Sequence, residues 1–377
     1  MGRKDFISVL VSVIGSLLFS LGLKNIFASP YLFASVNKNE GVQMSDFYSK
    51  FGNSSNIHSV SEDITIIATD GLNRAQVSEL LTVVDSMKPK IIGLDILFLS
   101  EQEEDDKLIN VINTSSRIVV PYGLTYNEES STYSIQDSCY FYDKLKNKKY
   151  GAVNLEGLSI KSSIRAFKPV FRLSDEIMNN FAVEVVKNYS SESYRELMNR
   201  GKNTEFIDYG DVDFYELLGK DLLENRNSPH WGSSIEGIIK NRIVLVGTTK
   251  SYADIHTTPI KAEMPGIYIQ AYTINTILQK KYINQVSTLW NYVIAIFFTF
   301  VFCSFAYYAR KHIIHIRGLL IRLCQFFLIV FFIVIGAFLY LVENVYVNFS
   351  LSLSMISFSL LMLDVVTGLY WIYSKLR

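Results

Sequence analysis

The chain has 377 residues, of which 49% are apolar, and equal numbers of basic and acidic side chains, 36 of each. This length permits two or three domains, and the zero net charge argues against the strongly basic surface of a nucleic-acid-binding protein. The balance is uneven along the chain: residues 24–289 hold 28 Lys and Arg against 33 Asp and Glu, a net charge of −5, so the two apolar ends carry +5.

The N-terminal apolar segment, Phe6 to Leu23, has 18 uncharged residues, the lower end of what crosses a bilayer as a helix. Its length favours an uncleaved anchor over residues 1–23. A signal peptide cleaved near Ala28-Ser29 is the alternative. Ser8, Ser12, Ser16 and Ser20 share one helix face. Such a face suits close packing against another helix, either in the same bundle or in a homodimer. The alternative is that serine is simply tolerated in a membrane helix.

Residues 24–289 are predicted to form an α/β domain with a mainly parallel sheet, because short apolar strands alternate with helical periodicity. A helix and a loop are expected over Lys24–Glu62, a loop or hairpin over Tyr126–Lys149, and an insertion with short elements over Ser190–Trp231. The predicted strands are Asp63–Ala68, Ile91–Leu97, Arg117–Tyr122, Gly151–Leu155, Ala166–Leu173 and Ile243–Gly247, and the predicted helices include Arg74–Met87, Asp175–Lys187 and the segment that follows Gly266. Cys139 is the one cysteine of this region, so an intradomain disulfide is excluded; a free thiol or an interchain disulfide remains.

Residues 290–377 contain three apolar segments, Trp290–Ala309, Leu323–Val342 and Phe349–Tyr373. Basic residues cluster before the first apolar segment of the chain, in an expected loop from Arg310 to Arg322 that includes Arg317, and at the C-terminus. The positive-inside rule makes these three places cytoplasmic. Four spans then put both termini inside and residues 24–289 outside.

Carboxylates concentrate at the ends of the predicted strands: Asp70, Asp95, Asp106 and Asp254, the last with His256 and Thr258 nearby. Ligands of open parallel sheets bind at the carboxyl ends of the strands, so a small polar molecule or a cation is one interpretation. The other is structural, since Asp caps helices and stabilises turns.

Asp364 lies in the last apolar segment, where an ionisable group is costly unless it is paired or hydrated. Its candidate partners are Arg310, Arg322 or a basic residue of another protein.

Enzymatic motifs are missing from the sequence: there is no Walker lysine motif, GxGxxG, HExxH, CxxC or GxSxG. An ATP-dependent or nucleotide-cyclising activity is therefore not expected. We predict that the chain is not an enzyme and has no cofactor, and His256 alone does not indicate a metal site, because no second His or Cys is close by. A hydrolase that uses paired carboxylates remains conceivable, although no spacing requires it.

The segment from Ile243 to Leu278 resembles the closing part of CHASE2, an extracytoplasmic sensory domain of bacterial receptors. The shared pattern is the strand Ile243–Gly247, then Asp254, Thr258-Pro259, and Met264-Pro265-Gly266 opening a helix. Lys88–Ile112 matches an earlier part of the family, and Tyr150–Gly157 with Arg165 and Pro169 matches more loosely. The chain departs from the family at Leu155-Glu156-Gly157, where an Asp-rich turn is usual. We also expect it to lack the output domain that usually follows in the family.

The resemblance implies a multi-pass protein of the bacterial inner membrane that detects a periplasmic stimulus. We expect its signal to pass through the bundle or the Arg310–Arg322 loop to a separate, co-encoded effector protein. The alternative is a structural subunit that uses the same fold as an assembly platform and binds no ligand.

Overall fold

A computed structural model describes residues 3–27, 44–52, 59–127, 132–135, 143–146, 149–155, 163–173, 176–210, 212–226, 229–313 and 316–376. The cleavage site predicted near Ala28-Ser29, the turn at Glu156-Gly157 and Cys139 lie outside these ranges.

The described residues form helices and short strands throughout. The helices are α1 (Arg3–Phe27), α2 (Met44–Gly52), α3 (Arg74–Ser86), α4 (Asp105–Thr114), α5 (Phe181–Tyr189), α6 (Ser191–Asn199), α7 (Gly219–Glu224), α8 (Pro229–Ile239), α9 (Gly266–Leu278), α10 (Thr288–His312), α11 (Arg317–Leu341) and α12 (Ser350–Leu376). The strands are β1 (Ser59–Ala68), β2 (Ile91–Asp95), β3 (Ile118–Tyr122), β4 (Leu124–Asn127), β5 (Thr132–Ile135), β6 (Lys149–Ala152), β7 (Ala166–Phe167), β8 (Val170–Arg172), β9 (Ile177–Asn179), β10 (Glu205–Phe206), β11 (Val212–Leu218), β12 (Ile243–Gly247), β13 (Ile255–His256), β14 (Met264–Pro265), β15 (Asn284–Gln285) and β16 (Val345–Tyr346).

The chain divides into two compact units. Gly52–Tyr282 forms the sheet unit, and Met1–Phe51 with Ile283–Arg377 forms the helical unit.

A six-stranded sheet of order β11-β1-β12-β2-β3-β6 is the centre of the sheet unit, and all its pairings are parallel. The predicted mainly parallel α/β fold is confirmed. Successive side chains of β12 enter different cores: Ile243 and Leu245 pack in one, Val244 and Val246 in the other. A strand covered on both faces needs such a continuous apolar run, because its side chains alternate between the faces.

The helices that follow neighbouring strands leave the sheet on opposite faces. Helices α3 and α4, after β1 and β2, pack in the core that contains Val244. Helix α9, which follows the central strand β12, packs in the core that contains Leu245. After β1 and β2 the chain turns to one face of the sheet, and after β12 it turns to the other face. Open α/β sheets form a crevice at such a change of direction.

Several element predictions need correction. The predicted insertion Ser190–Trp231 supplies the edge strand β11, with α6, β10 and α7. The predicted helix Asp175–Lys187 begins only at Phe181, after the short strand β9. The predicted strand Ala166–Leu173 is split into β7 and β8, which pair with β10 and β9. The hairpin alternative for Tyr126–Lys149 is present as β4 and β5, although β4 already begins at Leu124.

Four helices of the helical unit are long and apolar enough to cross a membrane, over Asp5–Leu23, Thr288–His312, Arg317–Leu341 and Ser350–Leu376. One N-terminal and three C-terminal candidates are the predicted arrangement. The serine face of α1 is buried inside this bundle at Ser12, Ser16 and Ser20, and the Ser354 hydroxyl of α12 donates to Ser20 Oγ at 2.9 Å.

The expected loop from Arg310 to Arg322 is wrong. Arg310 lies in the last turn of α10, and Arg317 is the first residue of α11, which also contains Arg322. Only a few residues of the chain separate the end of α10 at His312 from the start of α11 at Arg317. The three arginines therefore lie on helices and not in a loop. A sliding count of apolar residues misses this because the basic first turns of α11 lower its hydropathy.

Candidate functional site

The carboxyl end of the parallel sheet gathers the acidic side chains of the sheet unit. Asp95 is the last residue of β2, and its register partner is Gly247, the last residue of β12. Asp70 follows β1 by two residues, and Asp254 closes a short helical turn after β12. These three predicted site residues thus belong to the region where the chain leaves β12 for α9.

Two glycines allow the close approach at this edge. A Cβ atom at Gly247 would lie 2.8 Å from the Asp95 carbonyl oxygen and 3.1 Å from Ile267 Cδ1. A Cβ atom at Gly266, the first residue of α9, would lie 2.6 Å from Oδ2 of Asp254. The Asp254 carboxylate therefore lies against the N-terminus of α9, where the helix dipole favours a negative charge.

Asp95 and Asp254 interact electrostatically. Burial raises the pKa of Asp95 to about 7, and the negative charge of Asp254 contributes to the same shift. Asp95 is half-buried. His256 Nε2 lies 3.2 Å from Asp254 Oδ1. Two carboxylates and an imidazole thus share one edge, and a positively charged group placed between the carboxylates would relieve their repulsion.

Asp70 has a structural part in this edge. Its carboxylate accepts hydrogen bonds from the Thr249 amide at 3.1 Å, the Thr249 hydroxyl at 2.7 Å and the Lys250 amide at 2.9 Å. These bonds tie the turn after β12 to the end of β1. The structural interpretation of Asp70 therefore has direct support.

Glu216 and Tyr268 belong to the same edge and were not predicted. Glu216 of β11 accepts a hydrogen bond from the Tyr268 hydroxyl of α9. Burial is the main cause that raises the pKa of Tyr268, and the hydrogen bond to Glu216 is the second. The sequence of Val212–Leu218 could have indicated this strand, because charged residues between apolar ones are typical of an edge strand with one solvated face.

Two other predicted residues stand apart from this cluster. Asp106 is exposed in the first turn of α4, whereas its neighbour Asp105 is buried, pairs with Arg74 and accepts from the Gln102 amide at 2.7 Å. Thr258 is buried, and its hydroxyl donates to the Lys261 carbonyl at 3.0 Å within a turn.

No group of three or more His, Cys, Asp or Glu side chains suited to a metal ion occurs among the residues that the structure describes.

The helical unit holds a second cluster. Arg310 Nη1 lies 2.6 Å from Asp364 Oδ1, and Arg317 Nη1 donates to the Arg310 carbonyl at 3.2 Å. Arg322 lines the same cavity, of about 540 Å³, between α10, α11 and α12. The structure thus brings together all four residues predicted for coupling, and it pairs Asp364 with Arg310 rather than Arg322.

The model of the CHASE2 domain family matches residues 44–305. The match covers more than half of the chain, so the chain belongs to the CHASE2 family of extracytoplasmic sensory domains. Searches of curated proteins and of solved structures gave no match. A CHASE2 domain together with four candidate membrane helices fits a membrane sensor.

Proposed function

We propose that this protein is a receptor of the bacterial inner membrane whose sheet unit lies in the periplasm and binds a small ligand there. The observation that carries the proposal is the Asp95–Asp254 pair, held at the crevice end of a parallel sheet and against the first residue of α9. A ligand with an ammonium or similar positive group would favour the arrangement in which both carboxylates are ionised. Such a ligand would release a proton on binding, because Asp95 ionises only near neutral pH.

The signal would leave the site through α9. This helix begins beside Asp254, ends at Leu278 and is followed along the chain by α10 at Thr288. A ligand shifts such a helix only if it binds one of two arrangements more tightly. The helical unit would then present the change to a separate effector protein, and no enzymatic step on this chain is invoked.

Ligand binding is tested on the full-length protein in lipid nanodiscs by a thermal-shift screen of amino acids, small amines and polyamines. We expect at least one cationic compound to raise the melting temperature of the wild type and to lose this effect in Asp95→Asn and Asp254→Asn. Asp106→Asn is the matched control, since it removes a carboxylate that is exposed on α4. A stabilising compound that acts equally on all four proteins would contradict the assigned site.

The periplasmic location is tested with Tyr252→Cys in a background without Cys139, because the Tyr252 side chain is 99% exposed in the sheet unit. A membrane-impermeant maleimide should label it in intact spheroplasts. Labelling only in inverted vesicles would show that the sheet unit faces the cytoplasm instead.

The structural-subunit alternative predicts a different pair of results. If no compound shifts the melting temperature while the protein co-purifies in a stoichiometric complex, this alternative replaces the receptor.

A further inference from the structure

The cavity between α10, α11 and α12 has an unbalanced positive charge. Three arginines, Arg310, Arg317 and Arg322, line it with one carboxylate, Asp364, so these four side chains carry a net charge of +2. Asp364 pairs with Arg310. Within the described part of the chain, neither Arg317 nor Arg322 has an acidic partner.

The cavity is arranged by polar contacts between helices. The Gln325 amide of α11 donates to the Ile356 carbonyl at 2.8 Å and to the Ser357 carbonyl at 3.2 Å, both on α12. Arg317 donates to the Arg310 carbonyl, which joins the start of α11 to the end of α10. The arginines are thus placed on helices that are tied to one another, and Arg322 and Gln325 lie one turn apart on α11.

We propose that this cavity binds the phosphate of an anionic phospholipid, with Arg317 and Arg322 as its principal contacts. Guanidinium groups match phosphate oxygens with paired donors, and basic pockets between membrane helices are suited to acidic headgroups. The volume of about 540 Å³ is larger than a free phosphate needs and is of the size that holds a small organic ligand.

The surroundings favour a lipid as the source of this phosphate. Ile321 and Leu360 form an apolar part of the lining, and Leu319, Leu323 and Leu361 are exposed on the same two helices. Acyl chains of a lipid held by its headgroup would run along these side chains. The positive-inside rule predicts that this end of the bundle faces the cytoplasm.

The test is native mass spectrometry of the detergent-solubilised full-length protein titrated with dioctanoyl phosphatidylglycerol. Dioctanoyl phosphatidylcholine and inorganic phosphate are separate arms. We expect selective retention of phosphatidylglycerol, and about a fivefold weaker affinity in Arg322→Gln. Lys375→Gln is the matched control, because Lys375 is a basic residue of α12 outside the cavity and lies over the Trp371 ring at 4.1 Å.

Asp364→Asn is expected to change the affinity for phosphatidylglycerol in the opposite direction to Arg322→Gln. It frees Arg310 and raises the charge of the lining, so it should bind phosphatidylglycerol more tightly than the wild type even if it lowers the stability of the bundle. Equal retention of phosphatidylcholine, or equal losses in Arg322→Gln and Lys375→Gln, would overturn the proposal. Inorganic phosphate that displaces the lipid at equal concentration would show a free-anion site and would overturn the lipid as its occupant.

Discussion

Asp254 lies close enough to Asp95, across the carboxyl end of the sheet, for its charge to add to the effect of burial, and the pKa of the Asp95 carboxyl is about 7. The two residues are far apart in the sequence and are brought together by the pairing of β2 with β12.

The raised pKa of Asp95 predicts that this carboxyl contributes less to the stability of the sheet unit at neutral than at acidic pH. An unfolded Asp ionises near 3.8, whereas folded Asp95 keeps its proton until about pH 7. The folded state therefore binds an extra proton between these values, and its free energy of unfolding falls as the pH rises through that window. The Asp95 contribution is at most about 1.4 kcal/mol per pH unit. It is fully present below pH 4 and lost above about pH 7.

Denaturation of the full-length protein from pH 4 to pH 8 checks this dependence. Asp95→Asn should remove the Asp95 contribution to the slope and make the protein more stable than the wild type at pH 8, while Asp106→Asn should retain the slope. A slope that is the same in the wild type and in Asp95→Asn would mean that another group causes it.

Gly266→Ala is predicted to displace the Asp254 carboxylate. The added methyl group would lie 2.6 Å from Oδ2 of Asp254, closer than van der Waals contact allows. We expect a loss of about 1–3 kcal/mol in the free energy of unfolding, together with a lower pKa of Asp95 because the second charge moves away. The measurements are denaturant unfolding and the pH dependence described above.

Gly237→Ala is the control for this substitution. Among the described residues, no atom beyond its chain neighbours and its own helix backbone lies within 4 Å of a Cβ at Gly237, which is exposed in α8. Alanine there should be neutral or stabilise the helix by up to about 1 kcal/mol. Equal effects of the two substitutions would show that the contact between Asp254 and α9 has no energetic weight.

Asp105 and Asp106 are predicted to differ sharply although they are adjacent. Asp105 is buried against Arg74, and Arg74 also donates to the Ser100 carbonyl at 2.6 Å. Asp105→Asn removes the negative charge of a buried carboxylate that pairs with Arg74 and should lower the free energy of unfolding by about 3 kcal/mol. Asp106→Asn should change it by less than about 0.5 kcal/mol. Chemical denaturation of the two variants side by side decides this, and similar losses would contradict the assigned burial.

The serine face of α1 is predicted to pack within one chain. Ser20→Cys with Ser354→Cys should form an intrachain disulfide on mild oxidation, because their hydroxyl oxygens are 2.9 Å apart. The native cysteines are replaced by alanine, and gel mobility distinguishes an intrachain bond from a crosslinked pair of chains. Ser20→Cys with Ser357→Cys is the control, as Ser357 is exposed one turn further along α12. A crosslinked dimer from Ser20→Cys alone would place this face between two copies instead.

Local sequence patterns were sufficient for the class of fold and for the membrane segments. Apolar runs such as Ile243–Gly247 reveal strands that are covered on both faces, and long apolar segments reveal the four candidate spans. The same patterns failed at β11, whose charged, half-exposed sequence resembles a surface insertion, and at the start of α11, where Arg317 and Arg322 resemble a loop.

The sequence by itself determined that a parallel α/β domain is linked to four apolar helices and that it resembles CHASE2, because periodicity, apolar length and short motifs are properties of neighbouring residues. Only the tertiary structure decided which carboxylates meet. Strand order brings Asp95 to Gly247 and Asp254 to the first residue of α9, and helix packing pairs Asp364 with Arg310. These contacts join distant parts of the chain, and the energies that select them depend on the packing of the whole core rather than on any local pattern.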